Sequence, residues 1–193
     1  NATDETPKPG DSRLQNVENH LIATPQQSLQ AAAQAVSEAG MTPLILGDSL
    51  EGESRDAGKM HAETALQIQK NSSPVSPPAV ILSGGETSVT VKGSGRGGPN
   101  TEFMLALLQE LRGQDGIWAI ACDTDGIDGT EDNAGAFISP ESLKKSEELS
   151  LDPSGFLSNN DSYSFFYELG DLVSPGPTMT NVNDFRAILV LPA

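Results

Sequence analysis

The sequence predicts an α/β fold with a mostly parallel or mixed sheet and helices on both faces. Three observations indicate this: short apolar runs alternate with segments of helical periodicity, Gly and Pro punctuate the segments, and the run IWAIAC at residues 117–122 is apolar on both faces. With 193 residues, of which 36% are hydrophobic, the chain is long enough to bury an ordinary core.

The first third of the chain predicts a β-α-β-α unit behind a polar start. Residues 1–15 are polar and carry Pro7 and Pro9, which is typical of a linker or disordered segment. Residues 16–72 hold the unit, and Gly40 ends the apolar periodicity of its first helix. The predicted elements are a strand at 19–24, a helix at 29–39, a strand at 42–47 and a helix at 52–69.

A Ser/Pro-rich stretch at 71–78 separates this unit from a second α/β segment at 79–193. Residues 83–86 (SGGE) predict a hairpin turn, because an apolar strand precedes them and the alternating run TSVTVK follows. Pro99 predicts the first turn of a mostly buried helix. The predicted elements are strands at 79–82, 87–92, 117–122, 134–138 and 186–191, and helices at 99–112, 140–148 and 160–169.

The charge of the chain excludes two classes of partner. Acidic residues outnumber basic ones 27 to 11, and a formal charge of -16 repels nucleic acid and anionic membranes. No apolar run reaches the roughly 20 residues of a membrane-spanning helix. The single cysteine, Cys122, fits a reducing compartment, so we expect a cytoplasmic protein. The sequence leaves a homo-oligomer open.

The glycine-rich loop at 93–98 is the strongest candidate for a phosphate site. Four glycines in six positions let the backbone approach a ligand with its N–H groups outward, and the following helix adds its positive N-terminus. Arg96 offers a donor fork that suits phosphate. The alternative interpretation is a flexible surface connection. The residues predicted to bind phosphate here are Gly95, Gly97, Gly98 and Asn100.

The same stretch matches the dinucleotide pattern G-x-G-x-x-G at Gly93, Gly95 and Gly98. It follows a predicted strand and opens a helix, and the next strand ends in Asp123. A nicotinamide-dependent reductase is therefore a rival hypothesis, although Arg96 between the glycines would crowd a pyrophosphate. The spacing alone does not decide between the two.

The acidic run at 123–132 follows a buried strand, at the edge where open α/β sheets bind ligands. Asp123 and Asp125 are the candidate ligands for Mg²⁺, which takes one or two carboxylates together with waters and substrate phosphates. Ile127 stands where a calcium-binding EF-hand loop would need an oxygen ligand, so that site is disfavoured. The alternative is a pair of Asp/Gly turns on an acidic surface.

Polar residues before the last strand are candidates for substrate binding. Asn181, Asn183 and Asp184 belong to a cluster of donors and acceptors that suits a small hydroxy acid. Glu86, a lone acid in the SGGE turn, is exposed to whatever docks there. Residues 159–162 (NNDS) predict the N-cap of a helix, and His20 and His61 are isolated and predict structural or surface roles.

Five blocks in order resemble a known family: ILSGGETSVTV, GRGGPNTEF, DTDGIDG, NNDSYSFF and GPTMTNVNDFRAILV. They are similar to the C-terminal MOFRL domain of class II glycerate kinases and cover residues 79–191. Residues 16–72 resemble the end of the preceding family domain. The resemblance implies an enzyme that phosphorylates D-glycerate to 2-phosphoglycerate with ATP and Mg²⁺, in a cleft between two α/β domains. Several relatives were once labelled hydroxypyruvate reductases.

The resemblance also implies roles for residues of this chain. Arg96 becomes a catalytic or phosphate-binding arginine, and the segments 83–86 and 123–128 line the cleft, with Ser83, Gly84 and Gly85 at the nucleotide. The family's catalytic lysine belongs to an N-terminal domain whose motifs do not occur here, so that domain is the expected partner and the isolated chain is expected to be inactive. Pro99 departs from the family, where arginine commonly follows GRGG. A non-catalytic module that binds anions or metabolites is the remaining alternative.

Overall fold

The computed structural model describes residues 6–193, which build one six-stranded sheet with helices against both faces. The helices are α1 (Pro25–Glu38), α2 (Ser54–Asn71), α3 (Pro99–Leu111), α4 (Ser142–Glu148), α5 (Pro153–Ser158) and α6 (Ser162–Leu169). The strands are β1 (Thr42–Leu50), β2 (Ala79–Gly85), β3 (Ile117–Asp123), β4 (Gly135–Ile138), β5 (Leu172–Val173) and β6 (Asp184–Val190).

The sheet is mixed, with the strand order β1-β2-β6-β3-β4-β5. Within the described residues, β1 and β2 are the parallel pair and the other four pairs are antiparallel. The expectation of a mixed sheet is therefore confirmed, and that of a mostly parallel sheet is wrong. The reason is β6, which enters last and lies antiparallel between β2 and β3, so that Arg186 faces Ser83 on one side and Ala121 on the other.

Two apolar layers hold the sheet. On one face, α1 places Leu29 against Val80 and Leu82. On the other face, α2 and α3 form the main core, and α3 is buried almost all round, as its composition predicts. Helix α1 packs mainly on β1 and β2, and Trp118 and Phe137, on the same face of the sheet but farther from α1, are 37% and 41% exposed.

Two predicted strands are wrong, and one helix was not predicted. Residues 19–24 form no strand, because no neighbouring strand pairs with them, and Ile22 is 90% exposed. Residues 87–92 form no strand either: β2 continues through the predicted turn to Gly85, and Ser88 makes only an isolated bridge to Glu53. Helix α5 is missing from the prediction, although Asp152 caps it and Pro153 starts it.

The two predicted segments share one sheet. β1 of the segment 16–72 pairs with β2 of the segment 79–193, in a register that begins with Thr42 opposite Ala79. Their assignment to different family domains stays a prediction. Of the linker predicted at 1–15, residues 1–5 lie outside the described part, and the rest contains a short 3-10 turn at Ser12–Leu14. Across residues 6–193, none of the helices has the length and apolar character needed to cross a membrane.

Candidate active-site cleft

An acidic cleft of about 480 Å³ opens at the edge of the sheet where β2 and β3 end and β6 begins. Helix α3 points its N-terminus toward this edge. We call this site the acidic cleft, and its lining residues are Glu86, Thr87, Pro99, Asn100, Asp123, Asp125, Ile127, Asp128, Gly129 and Asp184. Because five of these ten carry a carboxylate, the cleft favours cations or ligands that bring a cation with them.

Asp128 occupies the N-terminus of α3. Its Oδ1 accepts the backbone N–H of Asn100 at 2.8 Å, and its Oδ2 accepts the backbone N–H of Thr101 at 2.9 Å. The backbone N–H of Gly98 is bound by the Thr101 hydroxyl at 3.0 Å. The donors that would bind a phosphate at this helix end therefore already have partners in the protein. Burial raises the pKa of Asp128 to about 6, despite these donors.

A buried chain of polar groups fixes Asp184 at the base of the acidic cleft. Asn100 Nδ2 donates to its Oδ1 at 2.7 Å, and Arg186 Nη2 donates to its Oδ2 at 2.6 Å. Arg186 is fully buried, and its guanidinium lies 5.0 Å from the centre of the Phe103 ring. Its positive charge offsets one carboxylate of the cleft. Asn100 Oδ1 has no donor among the described residues.

Asp123 and Asp125 both line the acidic cleft, and their role as Mg²⁺ ligands stays a prediction. The backbone N–H of Asp125 donates to Asp123 Oδ1 at 2.9 Å. Burial, and then the negative charges of Asp125 and Asp184, raise the pKa of Asp123 to about 6. In the described part of the chain, no group of three or more His, Cys, Asp or Glu side chains is placed to hold a metal ion alone. A cation here would need ligands from water or substrate in addition to these two carboxylates.

The glycine-rich loop directs its N–H groups into the protein. Asn160 Oδ1 accepts from Gly93 N at 3.0 Å, and the Asn159 backbone carbonyl accepts from Gly95 N at 3.0 Å. Asp161 Oδ1 accepts from Arg96 N at 2.9 Å. The expectation that these N–H groups point outward is wrong, because acceptors in the segment 159–161 bind them through hydrogen bonds. Phosphate binding by the loop glycines stays a prediction.

The glycines of this loop are required by close packing. A Cβ at Gly93 would lie 2.2 Å from the carbonyl oxygen of Asn159, and one at Gly95 would lie 2.3 Å from Asp161 Cβ. One at Gly98 would lie 2.4 Å from the Asp128 carboxylate. The block NNDS therefore does more than start a helix: Asp161 holds the N-cap position of α6, but its carboxylate binds the loop instead of capping the helix.

Arg96 lies outside the acidic cleft, in an adjoining hollow of about 310 Å³. Its Nε donates to Glu131 Oε2 at 3.1 Å, and its Nη2 contacts the same oxygen. Its guanidinium carbon lies 4.2 Å from the centre of the Tyr163 ring. The hydroxyl of Tyr163 in turn donates to Asp132 at 2.8 Å. Arg96 is therefore engaged with protein groups, although its side chain is 58% exposed.

Ser83 faces the core and does not line the acidic cleft. Its hydroxyl donates to His61 Nε2 at 2.8 Å, since His61 Nδ1 donates to the carbonyl of Ala57 at 2.8 Å. His61 is fully buried, which confirms its structural role, and burial lowers its pKa to about 4. Gly84 and Gly85 pack against β6 and β1 within the sheet, so of the SGGE block only Glu86 reaches the cleft.

The predicted substrate residues are only partly brought together. Glu86 and Asp184 line the acidic cleft. Asn181 lies at its rim, where its Nδ2 donates to Asp125 Oδ2 at 3.3 Å. Asn183 adopts a left-handed conformation with φ 64° and binds Thr124 through its backbone carbonyl, so its position is explained by the turn.

Four residues of this region are not among the candidate site residues predicted from the sequence: Asp128, Glu131, Tyr163 and Arg186. Arg186 could have been recognised as a buried charge from the strand pattern FRAILV. It lies on the same face of β6 as Ile188 and Val190, which are buried. Asp128, Glu131 and Tyr163 contact residues that lie 27 to 67 positions away along the chain. Local sequence periodicity carries no information on such long-range contacts.

Comparisons with known proteins identify the family of the chain. The sequence profile of the MOFRL family matches residues 79–184. A relative from Agrobacterium vitis, which carries the provisional name hydroxypyruvate reductase, is 53% identical over 96% of this chain and 42% of its own length. The D-glycerate 2-kinase of Thermotoga maritima is 39% identical over 97% of this chain and 44% of its own length.

A solved structure has the same fold. The crystal structure of the glycerate kinase from Thermotoga maritima superposes with a TM-score of 0.88 and 38% identity, over 91% of this chain and 42% of that chain. The sheet and its helices thus define an α/β protein that shares the fold of the matched part of that glycerate kinase. The chain belongs to the MOFRL family. It spans less than half the length of the relatives that it matches.

Proposed function

We propose that this chain is the C-terminal part of an ATP-dependent glycerate 2-kinase, which transfers the γ-phosphoryl group of ATP to D-glycerate to give 2-phosphoglycerate. The observation that carries the proposal is the pairing of Asp123 with Asp125 in the acidic cleft, beside Asp184. Phosphoryl transfer depends on positioning and on neutralising phosphate charge, and two close carboxylates suit the magnesium ion that does this.

The carboxylates of Asp123 and Asp125 would hold Mg²⁺ directly or through water. The fit has support in the structure, because the pKa of Asp123 is raised to about 6 by burial and by its acidic neighbours, and a cation would relieve that repulsion. When bound, Mg²⁺ supplies charge neutralisation to the phosphates of ATP. The unpartnered Asn100 Oδ1 is a further oxygen acceptor in the wall of the cleft.

The hydroxy acid would bind next to these carboxylates, since Asp184 is the cross-strand neighbour of Asp123 and Asn181 contacts Asp125. Asp184 has both oxygens fixed by Asn100 and Arg186, so it can accept a substrate hydroxyl without moving. Glu86 and Asn181 are exposed at the rim, where they would orient the remaining polar groups. Asn183 would act through the turn that places Asn181, because its backbone N–H donates to Asn181 Oδ1 at 3.0 Å.

The nucleotide phosphates would lie between the acidic cleft and Arg96. The two hollows meet at Pro99 and Gly129, which line both of them. Arg96 would offset negative charge on the transferring phosphoryl group. Gly95, Gly97 and Gly98 would shape this passage by having no side chains, and Ser83, Gly84 and Gly85 would support it from β2.

The cleft needs a second wall. Because the relatives are more than twice as long as their matched part, we propose that the N-terminal domain of the same polypeptide supplies this wall and the catalytic lysine. The isolated chain is then expected to show no measurable phosphorylation of glycerate. We also propose a cytoplasmic location, which the half-buried free Cys122 supports.

A nicotinamide-dependent hydroxypyruvate reductase is the second candidate, favoured by the name of the Agrobacterium vitis relative. The hydrogen bonding of the glycine-rich loop and of the α3 N-terminus disfavours this reductase. A dinucleotide fold presents free N–H groups at the glycine turn and the helix N-terminus, whereas here Asn159, Asn160 and Asp128 accept those hydrogen bonds.

A coupled assay of the whole polypeptide separates the two functions. With ATP, Mg²⁺ and D-glycerate we expect formation of 2-phosphoglycerate, and with NADH and hydroxypyruvate we expect no oxidation above background. Arg96→Ala should lower glycerate phosphorylation strongly. Oxidation of NADH that persists in Arg96→Ala, in the absence of any phosphorylation, would replace the kinase by the reductase.

A further inference from the structure

The side chain of Arg96 is held by a carboxylate of its own chain. Nε and Nη2 both donate to a single oxygen, Glu131 Oε2. Glu131 is only 11% exposed, whereas Arg96 is 58% exposed. The carboxylate is therefore the better anchored partner, and the arginine is the one that can leave.

Two further contacts fix this arrangement. The backbone N–H of Glu131 points to the carbonyl of Asp128 at 3.4 Å, which ties it to the residue at the N-terminus of α3. The Arg96 carbonyl accepts the backbone N–H of Tyr163 at 2.9 Å, and the Tyr163 ring supports the guanidinium from one face. The guanidinium is thus preorganised between a carboxylate and an aromatic ring, in the hollow next to the acidic cleft.

A carboxylate paired with an arginine occupies the donor positions that a phosphate would use. We propose that Glu131 is a positioning residue that acts as an internal competitor. Its carboxylate holds Arg96 beside the acidic cleft until a phosphate group replaces that carboxylate as the acceptor of the same Arg96 N–H donors. The proposal rests on the proposed function only in assigning phosphate as the ligand of Arg96. No bond is made or broken other than hydrogen bonds and ion pairs.

Glu131→Gln tests the proposal, because it removes the competing charge and keeps the shape. Its matched control is Asp132→Asn, which removes one negative charge from the next residue while leaving an oxygen for the Tyr163 hydroxyl. Arg96→Ala is the control for loss of the site. The probe is inorganic pyrophosphate, titrated into the chain by calorimetry and followed by the NMR signal of the Arg96 Nε–H group.

We expect Glu131→Gln to bind pyrophosphate about two- to fivefold more tightly than the wild type, as for release of an exposed ion pair. Asp132→Asn should change the affinity by less than half as much, and Arg96→Ala should weaken binding. An equal gain in both neutralised variants, or no gain in Glu131→Gln, overturns the proposal. If Glu131→Gln fails to fold, Glu131→Asp should show a smaller gain in the same direction, and no gain there overturns it equally.

The outcomes separate this inference from the proposed function. If pyrophosphate binds Arg96→Ala as tightly as the wild type, the assignment of phosphate to Arg96 fails, and the kinase assay then decides the function independently. If Arg96→Ala weakens binding while Glu131→Gln does not strengthen it, only the competition fails. Titration with 2-phosphoglycerate and with MgADP then distinguishes a phosphorylated acid from a nucleotide as the source of the phosphate.

Discussion

The carboxylate of Asp128 accepts two hydrogen bonds from Thr101, one from the backbone N–H at 2.9 Å and one from the hydroxyl at 2.8 Å. This relationship closes the N-terminus of α3 with a side chain of the protein itself. The start of α3 is therefore a structural joint, and we propose ligand binding for Asp123 and Asp125 of the acidic cleft instead.

Replacement of Asp128 tests this joint. Asp128→Ala leaves the backbone N–H groups of Asn100 and Thr101 buried without acceptors, so we expect a loss of about 2–4 kcal/mol in the free energy of unfolding. Urea denaturation measures it. Asp152→Ala, which removes an exposed cap from α5, should cost about 1 kcal/mol or less. Equal costs for the two variants would show that Asp128 is an ordinary cap.

Gly95→Ala tests the packing of the loop against the segment 159–161. The new Cβ would lie 2.3 Å from Asp161 Cβ, so the loop must move, and we expect a loss of about 1–3 kcal/mol in the free energy of unfolding. Ser94→Ala is the control, because Ser94 is exposed and contributes its backbone N–H, which the variant keeps. A tolerated Gly95→Ala would mean that the loop is free to rearrange.

Because burial lowers the pKa of His61, we expect the free energy of unfolding to fall in acid. The pKa of His61 is 6.5 in its ordinary state and about 4 in the fold, where burial, reinforced by the charge of Arg186, disfavours the proton. The unfolded chain therefore binds a proton between pH 6.5 and 4 while the folded chain does not, and the free energy of unfolding falls over that range by up to about 3 kcal/mol.

The His61 contribution is isolated by comparison with His61→Gln. Asp123 and Asp128 have pKa values raised to about 6, so their protonation stabilises the fold as the pH falls and opposes the effect of His61. The difference in free energy of unfolding between wild type and His61→Gln should shrink from pH 7 to pH 4. A difference that is constant with pH would show that folding leaves the pKa of His61 unchanged, which would contradict its lowering by burial.

The titration of Asp123 reports on the charge of the acidic cleft. We expect a midpoint near pH 6 in the chain without a metal ion, measured from the carboxyl carbon signal by NMR. Asp125→Asn should lower this midpoint, because it removes a neighbouring negative charge but keeps the backbone N–H that binds Asp123. Addition of Mg²⁺ should lower it as well, and a midpoint indifferent to both changes would contradict a shared site.

The sequence predicted the fold class and most elements, because their apolar periodicity is local. Helix α3 follows directly from a run that is apolar enough to be buried, and strand β3 follows from the apolar run IWAIAC, although its Trp118 is exposed. The sequence left open whether the sheet is mostly parallel or mixed, and the position of β6 between β2 and β3 did not follow from it, since that insertion is decided by packing over more than sixty residues of chain. The strand predicted at 19–24 failed because a strand needs a neighbour, which periodicity does not supply.

The site was predicted in part for the same reason. Asp123 and Asp125 follow a strand end, and that position already places them at the ligand-binding edge of the sheet. The glycine loop suggested exposed N–H groups, whereas its acceptors, Asn159 and Asn160, come from more than sixty residues further on. The contact of Arg96 with Glu131 is likewise a tertiary one, without a local signal.

The most direct test of the proposed kinase is the effect of Asp123→Asn on kcat/KM for phosphorylation of D-glycerate by the whole polypeptide with ATP and Mg²⁺. The control is Glu141→Gln, an exposed acid outside the acidic cleft. We predict that Asp123→Asn lowers kcat/KM by about a hundredfold or more, as for loss of a group that stabilises transition-state charge, while Glu141→Gln has no effect. Unchanged phosphorylation in Asp123→Asn would contradict the acidic cleft as the site of phosphoryl transfer.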